Sequence, residues 1–141
     1  MRPALTTFLA AYAPNAIKRP PFTTLLDAHL RMWTLVTSPS TFRRMLHVHR
    51  SFANLPEVSL GTHFYGGISY LRGRKELAHM HGDGVLDAHV GTRRAEALRG
   101  IPGIEAHHAE GGPGWVTVDL RGEVDVDSAV SALLVGVNPE I

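Results

Sequence analysis

The 141-residue sequence contains no cysteine, which rules out disulfides, thiolate metal ligands and cysteine nucleophiles. An excess of one charge is missing too. Lys and Arg total 14 against 13 Asp and Glu, a net of +1 with histidine neutral, so composition supplies no field to attract nucleic acid or an anionic membrane. No apolar run approaches the ~18 residues that would span a bilayer. The weakly apolar start, Leu5, Phe8, Leu9 and Tyr12 interrupted by Thr6 and Thr7, lacks a small-residue cleavage site and reads as mature protein. A cytoplasmic protein with neither nucleic-acid nor membrane partner is the expectation. Acid–base or ligand chemistry is left to His, Asp and Glu, and histidine is abundant, with nine copies.

At 44% hydrophobic residues the chain can bury one core, and a single domain over 1–141 is expected: a helical part, 1–55, and a sheet-containing part, 56–141. Residues 5–12 have helical spacing. Phe22, Leu25, Leu26, His29, Trp33 and Val36 mark one face of a second helix, with Thr23 or Thr24 as its cap. Ser38-Pro39-Ser40-Thr41 is a helix start, followed by Phe42, Met45, Leu46 and His49 at helical intervals. His47 and His49 stand two apart on that helix and point to different sides, so they read as one surface and one core-edge histidine. His29, His49 and His63 read as structural.

Beyond Leu55-Pro56 the pattern turns to strand. Val58 to Phe64 and Ile68 to Leu71 flank a Tyr65-Gly66-Gly67 connection, and Arg72-Gly73-Arg74 makes the next turn. A short helix runs from Thr92 to Arg99, and a strand covers Ile104 to His108. Trp115 to Leu120 alternates, with Val116, Val118 and Leu120 on one side and Trp115, Thr117 and Asp119 on the other. Val126, Ala129, Val130, Leu133, Leu134 and Val137 form the stripe of a closing helix, capped by Asp125. Helices followed by strands and a mixed end predict an α+β fold: an antiparallel sheet of about five or six strands, with helices on one face and the other free for a site.

The densest ionisable stretch is Glu76-Leu77-Ala78-His79-Met80-His81-Gly82-Asp83-Gly84-Val85-Leu86-Asp87-Ala88-His89. On a strand His79 and His81 share a face. With Gly82-Asp83-Gly84 as a three-residue loop, His81 faces Val85, His79 faces Asp87 and Leu77 faces His89, gathering the polar groups. A two-residue turn would instead mix histidines with apolar residues. Three readings of the cluster follow. His79 and His81 with His107 or Asp87 suffice to hold a divalent metal. A histidine oriented by a carboxylate can take a proton from an acidic enol or phenol. Paired His and Asp can also simply satisfy one another, which for a lone His-x-His is the commoner case.

Lys75-Glu76-Leu77-Ala78-His79-Met80-His81, then Leu86-Asp87, then His107 followed by another histidine, then an aromatic strand opening at Trp115 and a closing helix, resembles the fungal luciferase family and its small bacterial relatives. The similarity covers roughly residues 68–137. It implies oxidation of a planar, electron-rich enol, pyrone or phenol by O₂ without organic cofactor. His79, His81 and His107 fall on the matching histidines, Glu76 on the matching acid and Trp115 on the matching aromatic. Asp87 stands where the fungal pattern has His and the bacterial one Asp, and His89 departs from the usual Pro or Ala. On this reading His79 or His81 is the base, Asp87 or Glu76 orients it, and His107, Trp115, His89 and Asp83 line the substrate site. A metal on His79, His81 and His107, a homo-oligomer, and a non-catalytic binding module like the small α+β domains of the MmcQ/YjbR type stay open as alternatives.

Overall fold

The computed structural model describes residues 19–106 and 112–137, leaving the expected 5–12 helix, His107 and His108 outside the described residues. In chain order the elements are α1 (Phe22–Thr37), α2 (Pro39–Ala53), β1 (Val58–Thr62), β2 (Ile68–Arg72), β3 (Lys75–Met80), β4 (Val85–His89), α3 (Thr92–Leu98), β5 (Ile104–Ala106), β6 (Trp115–Asp119) and α4 (Val126–Val137). The six strands form one sheet in the order β1-β2-β3-β4-β6-β5, antiparallel at each pairing. This is the expected α+β architecture.

Strand alternation divides the sheet into an apolar and a polar face. Tyr70, Ala78, Met80, Leu86, Ala88, Val116 and Val118 are buried in one cluster with Met45, Val48 and Phe52 of α2, Ala95 and Leu98 of α3, and Ala129, Val130, Leu133 and Val137 of α4. Each large side chain so buried contributes about 1.5–3 kcal/mol. The buried face of α2 thus runs through Thr41, Met45, Val48 and Phe52, whereas the spacing had suggested Phe42, Met45, Leu46 and His49; Leu46 is exposed. At the start of α4, Asp125 caps as expected, its Oδ1 accepting from Ser128 N–H at 3.2 Å.

The β3–β4 turn has the three-residue form. His81 N–H donates to Val85 O at 2.8 Å and Gly84 N–H to His81 O at 3.1 Å. Gly84 takes φ +94°, a conformation that glycine adopts without a Cβ penalty. His79 therefore pairs with Asp87. The expected Leu77–His89 pairing is not formed. Between β2 and β3 the register slips from Tyr70↔Ala78 to Leu71↔Glu76, and this bulge takes up Leu77, whose side chain belongs to the core. A bulge re-aims the residues beside it; here it turns Glu76 onto the polar face, where strict alternation would have placed Leu77.

Helix α1 forms where expected but faces the other way. Its buried residues are Thr23, Asp27, Leu30 and Thr34, while Phe22, Leu25, Leu26, Trp33 and Val36 are exposed. The polar side is fastened to the loops at the end of the sheet. Thr23 Oγ1 donates to Phe64 O at 2.7 Å, so it does not cap the helix. Gly82 N–H donates to Asp27 Oδ1 at 2.6 Å, and Thr34 Oγ1 donates to Gly82 O at 2.8 Å. These bonds outweigh hydrophobic periodicity in setting the helix rotation, because each leaves no buried polar group unmet. The contact is close: a Cβ on Gly82 would collide with Asp27 O and lie 2.7 Å from Arg31 N. Gly82→Ala is expected to destabilise the fold by about 1–3 kcal/mol, measured by urea unfolding; an unchanged midpoint would show that α1 is not docked on the turn.

Candidate active site

The polar face gathers its groups around His79. His79 is the penultimate residue of β3, between Ser69 of β2 and Asp87 of β4, and it is buried, as are Asp87, His81 and Ser69. Its Nδ1–H donates to Glu76 Oε1 at 2.7 Å. Its Nε2 lies 3.0 Å from Asp87 Oδ2. Asp87 Oδ1 in turn accepts from Thr117 Oγ1 of β6 at 2.5 Å. The other oxygen of Glu76 accepts from Ser69 Oγ at 2.5 Å and from His63 Nδ1 at 3.1 Å. A continuous polar chain, His63–Glu76–His79–Asp87–Thr117, crosses the sheet from the β1–β2 turn to β6.

These contacts fix protonation states. Burial opposes charge on His79, but the bonds to Asp87 and Glu76 outweigh it and raise its pKa to about 9. Carboxylates hold both ring nitrogens, so His79 is an imidazolium near neutral pH. Burial alone would raise Glu76; the bonds from His63, His79 and Ser69 more than reverse that and hold the carboxyl well below its usual range. His63 goes the opposite way. Its burial, assisted by the nearby His79 and His81, outweighs Glu76 and lowers its pKa. A neutral His63 donating from Nδ1 has its lone pair on Nε2. Its ring stacks on His79 with centroids 3.6 Å apart and 12° between planes, placing a neutral π face over a cation.

His81 differs from His79. Its Nε2 is 3.5 Å from the same Asp87 Oδ2, and its buried Nδ1 has no hydrogen-bond partner among the described residues. Nε2 is the ring nitrogen turned toward Asp87, which leaves Nδ1 as the one not committed to the network. The ring stands edge-on to His79, centroids 5.1 Å apart. Trp115 continues the aromatic row, 5.5 Å from His79 and 5.4 Å from the half-buried His89. Burial, then Lys75, lowers the His89 pKa.

The structure brings together His79, His81 and Asp87, which strand pairing in the sequence had gathered, and Glu76, which the resemblance had named, with Trp115 and His89 alongside. Asp83 is buried in the β3–β4 turn, where its charge helps raise the pKa of Arg121. His107 lies outside the described residues. Ser69, Thr117 and above all His63 are the additions. Strand parity from Gly61 could have placed His63 on this face; as a single histidine near a turn it gave no other signal. His29, on the outer side of α1, and His49, whose Nδ1 lies 2.9 Å from Tyr70 Oη, take no part.

Two sets of ligand atoms are close enough for a metal: His79, His81 and Asp87, all buried, and His63, Glu76 and His79. In the first set Glu76 would hold His79 from behind, as a carboxylate commonly does for a metal-bound histidine. Two clefts lie elsewhere, one of about 340 Å³ between α1 and β1–β2 and one of about 410 Å³ around Val90–Ala97. Neither is lined by the histidine cluster. Among the described residues no helix is long and apolar enough to cross a membrane.

The pKa shifts make stability depend on pH from both sides. The raised pKa of His79 contributes fully below about 6.5 and is lost as pH rises through about 9, a term of roughly 3 kcal/mol. The lowered pKa values of His63 and Glu76 act at the acid end, where their contributions disappear as pH falls. Urea midpoints should peak near pH 6.5 and decline toward both pH 9 and pH 4; a flat profile from 6.5 to 9 would contradict the His79 assignment.

No curated protein and no solved structure matches the chain. The family model described as Luciferase domain matches residues 74–136, from the turn before β3 to the last turn of α4, and it covers His79, His81, Asp87, Glu76 and Trp115 together. Over those residues the chain is similar to the luciferase domain, the family its sequence resembles.

Proposed function

We propose that this protein is a luciferase-like oxygenase that oxidises a planar, electron-rich enol, pyrone or phenol with O₂ and without organic cofactor. The observation that carries the reading is the division of labour between the two histidines of β3. His79 is saturated by Glu76 and Asp87, so it orients Asp87 and offsets its charge. His81 keeps a buried nitrogen free for a proton. A neutral His81 takes the enol or phenol proton at Nδ1 while Asp87 stabilises the imidazolium through Nε2. The resulting enolate gives one electron to O₂, and the radical pair combines to a peroxide whose breakdown yields product. The chain's own tasks are to bind, deprotonate and exclude water. Trp115 supplies a flat aromatic face for such a ring, with His89 standing edge-on beside it.

A second reading has one specific observation behind it. His79 Nε2, His81 Nε2 and Asp87 Oδ2 converge, and two histidines with one carboxylate are the ligand type of non-haem Fe(II) oxygenases. Metal there would replace the Nε2 proton of His79, with Glu76 still accepting from Nδ1. His107 remains a further candidate for the substrate wall or the ligand set.

Metal analysis of untagged protein and O₂ uptake with a panel of hydroxy-pyrones and polyphenols distinguish these readings. The acid–base reading predicts uptake without stoichiometric metal and a loss of about 10²–10⁴-fold in His81→Gln with the fold retained. Stoichiometric metal that disappears in both His79→Ala and His81→Ala would replace it with the metal reading. Binding of such ligands without O₂ uptake would mean a binding module.

A further inference from the structure

The outer face of α1 is apolar along its length except for the exposed His29 near its middle. Phe22 is 58% exposed, Leu25 66%, Met32 60%, Trp33 62% and Val36 72%. Leu26 and Leu35 add to the patch. The only charged residues of the helix, Asp27 and Arg31, pair at 2.8 Å; Asp27 holds the Gly82 amide and Arg31 reaches Met80 O at 3.4 Å. The apolar side cannot turn inward without breaking the bonds of Thr23, Asp27 and Thr34 to the sheet loops. The outward orientation is thus set by the polar anchors and is a fixed feature of the fold.

We infer that this face is where a second copy of the chain docks, helix against helix, to form a two-fold dimer. Phe22, Leu25, His29, Met32 and Val36 recur at alternating intervals of three and four, the spacing of a coiled-coil seam, with Leu26 and Trp33 beside it. Such a seam is complementary to itself, as a two-fold interface requires. Seven large apolar residues of this one helix are 37% to 72% exposed, enough to supply most of the roughly 800 Å² that each partner buries in a stable interface. A lipid surface fits less well. Helices that lie on membranes turn a basic face to water, whereas the polar face of α1 is occupied by the protein itself. Phe64 and Tyr65, exposed on the loop that Thr23 grips, extend the surface toward His63, so the partner would sit beside the rim of the histidine cluster.

The test uses the full chain. Sedimentation equilibrium from about 1 to about 100 µM should show a dimer, and Leu25→Glu with Trp33→Glu should give a monomer with the same far-UV circular dichroism, since both side chains are exposed. The absence of native cysteine permits a second measurement that introduces no large change. His29 is central in the seam and meets its mate in either helix direction, so oxidised H29C should form a covalent dimer under conditions where the exposed control G100C does not. A monomeric wild type across that range, a Leu25→Glu/Trp33→Glu variant that stays dimeric, or equal cross-linking of H29C and G100C would overturn the inference. None of these outcomes depends on whether the histidine cluster is catalytic.

Discussion

One imidazole held between two carboxylates is the constraint on which the rest of the polar face depends. Removing His79, Glu76 and Asp87 from water separately would cost several kcal/mol for each ion; together they form a chain of alternating charge with every shared contact at 3.0 Å or less. The three-residue turn sets the register that brings Asp87 opposite His79. The bulge at Leu77 turns Glu76 to the same side. Ser69 and His63 then donate to the other oxygen of Glu76, and Thr117 to the other oxygen of Asp87. Remove either carboxylate and a buried cation loses one of its two carboxylate partners.

That arrangement gives two neighbouring histidines different chemistry. His79 is saturated and held as a cation. His81, two residues on and facing the same Asp87, retains a nitrogen not committed to the network. On the proposed function, a base beside a fixed cation–carboxylate pair is suited to drawing a proton from a weak acid, because the charge that develops on its ring is met by Asp87. The luciferase-domain match over residues 74–136 takes in these groups but not His63 or Ser69, so part of the support for Glu76 comes from β1–β2 residues preceding the matched segment.

Much of this was legible in the sequence because the rules involved are local. Period-two alternation separated Val116 and Val118 from Trp115 and Thr117, and glycine at the third loop position fixed the hairpin register. The errors arose where distant parts of the chain decide. Nothing near Leu77 announces a bulge; it is a property of the β2–β3 pairing, and it reversed the face of Glu76. Periodicity located α1 but could not say which side faces inward, since the Gly82 amide and carbonyl that capture Asp27 and Thr34 lie about fifty positions away. His63 was read as structural for the same reason: its place in the cluster comes from Glu76, across β2.

The central claim is the charge state of His79. Nitrogen-15 NMR of the histidine rings at pH 8 tests it most directly. Both nitrogens of His79 should be protonated there, with His63 neutral and its proton on Nδ1. A neutral His79 at pH 8, with one ring nitrogen bare, would contradict the two-carboxylate clamp and the assignment of His81 as the base that it supports.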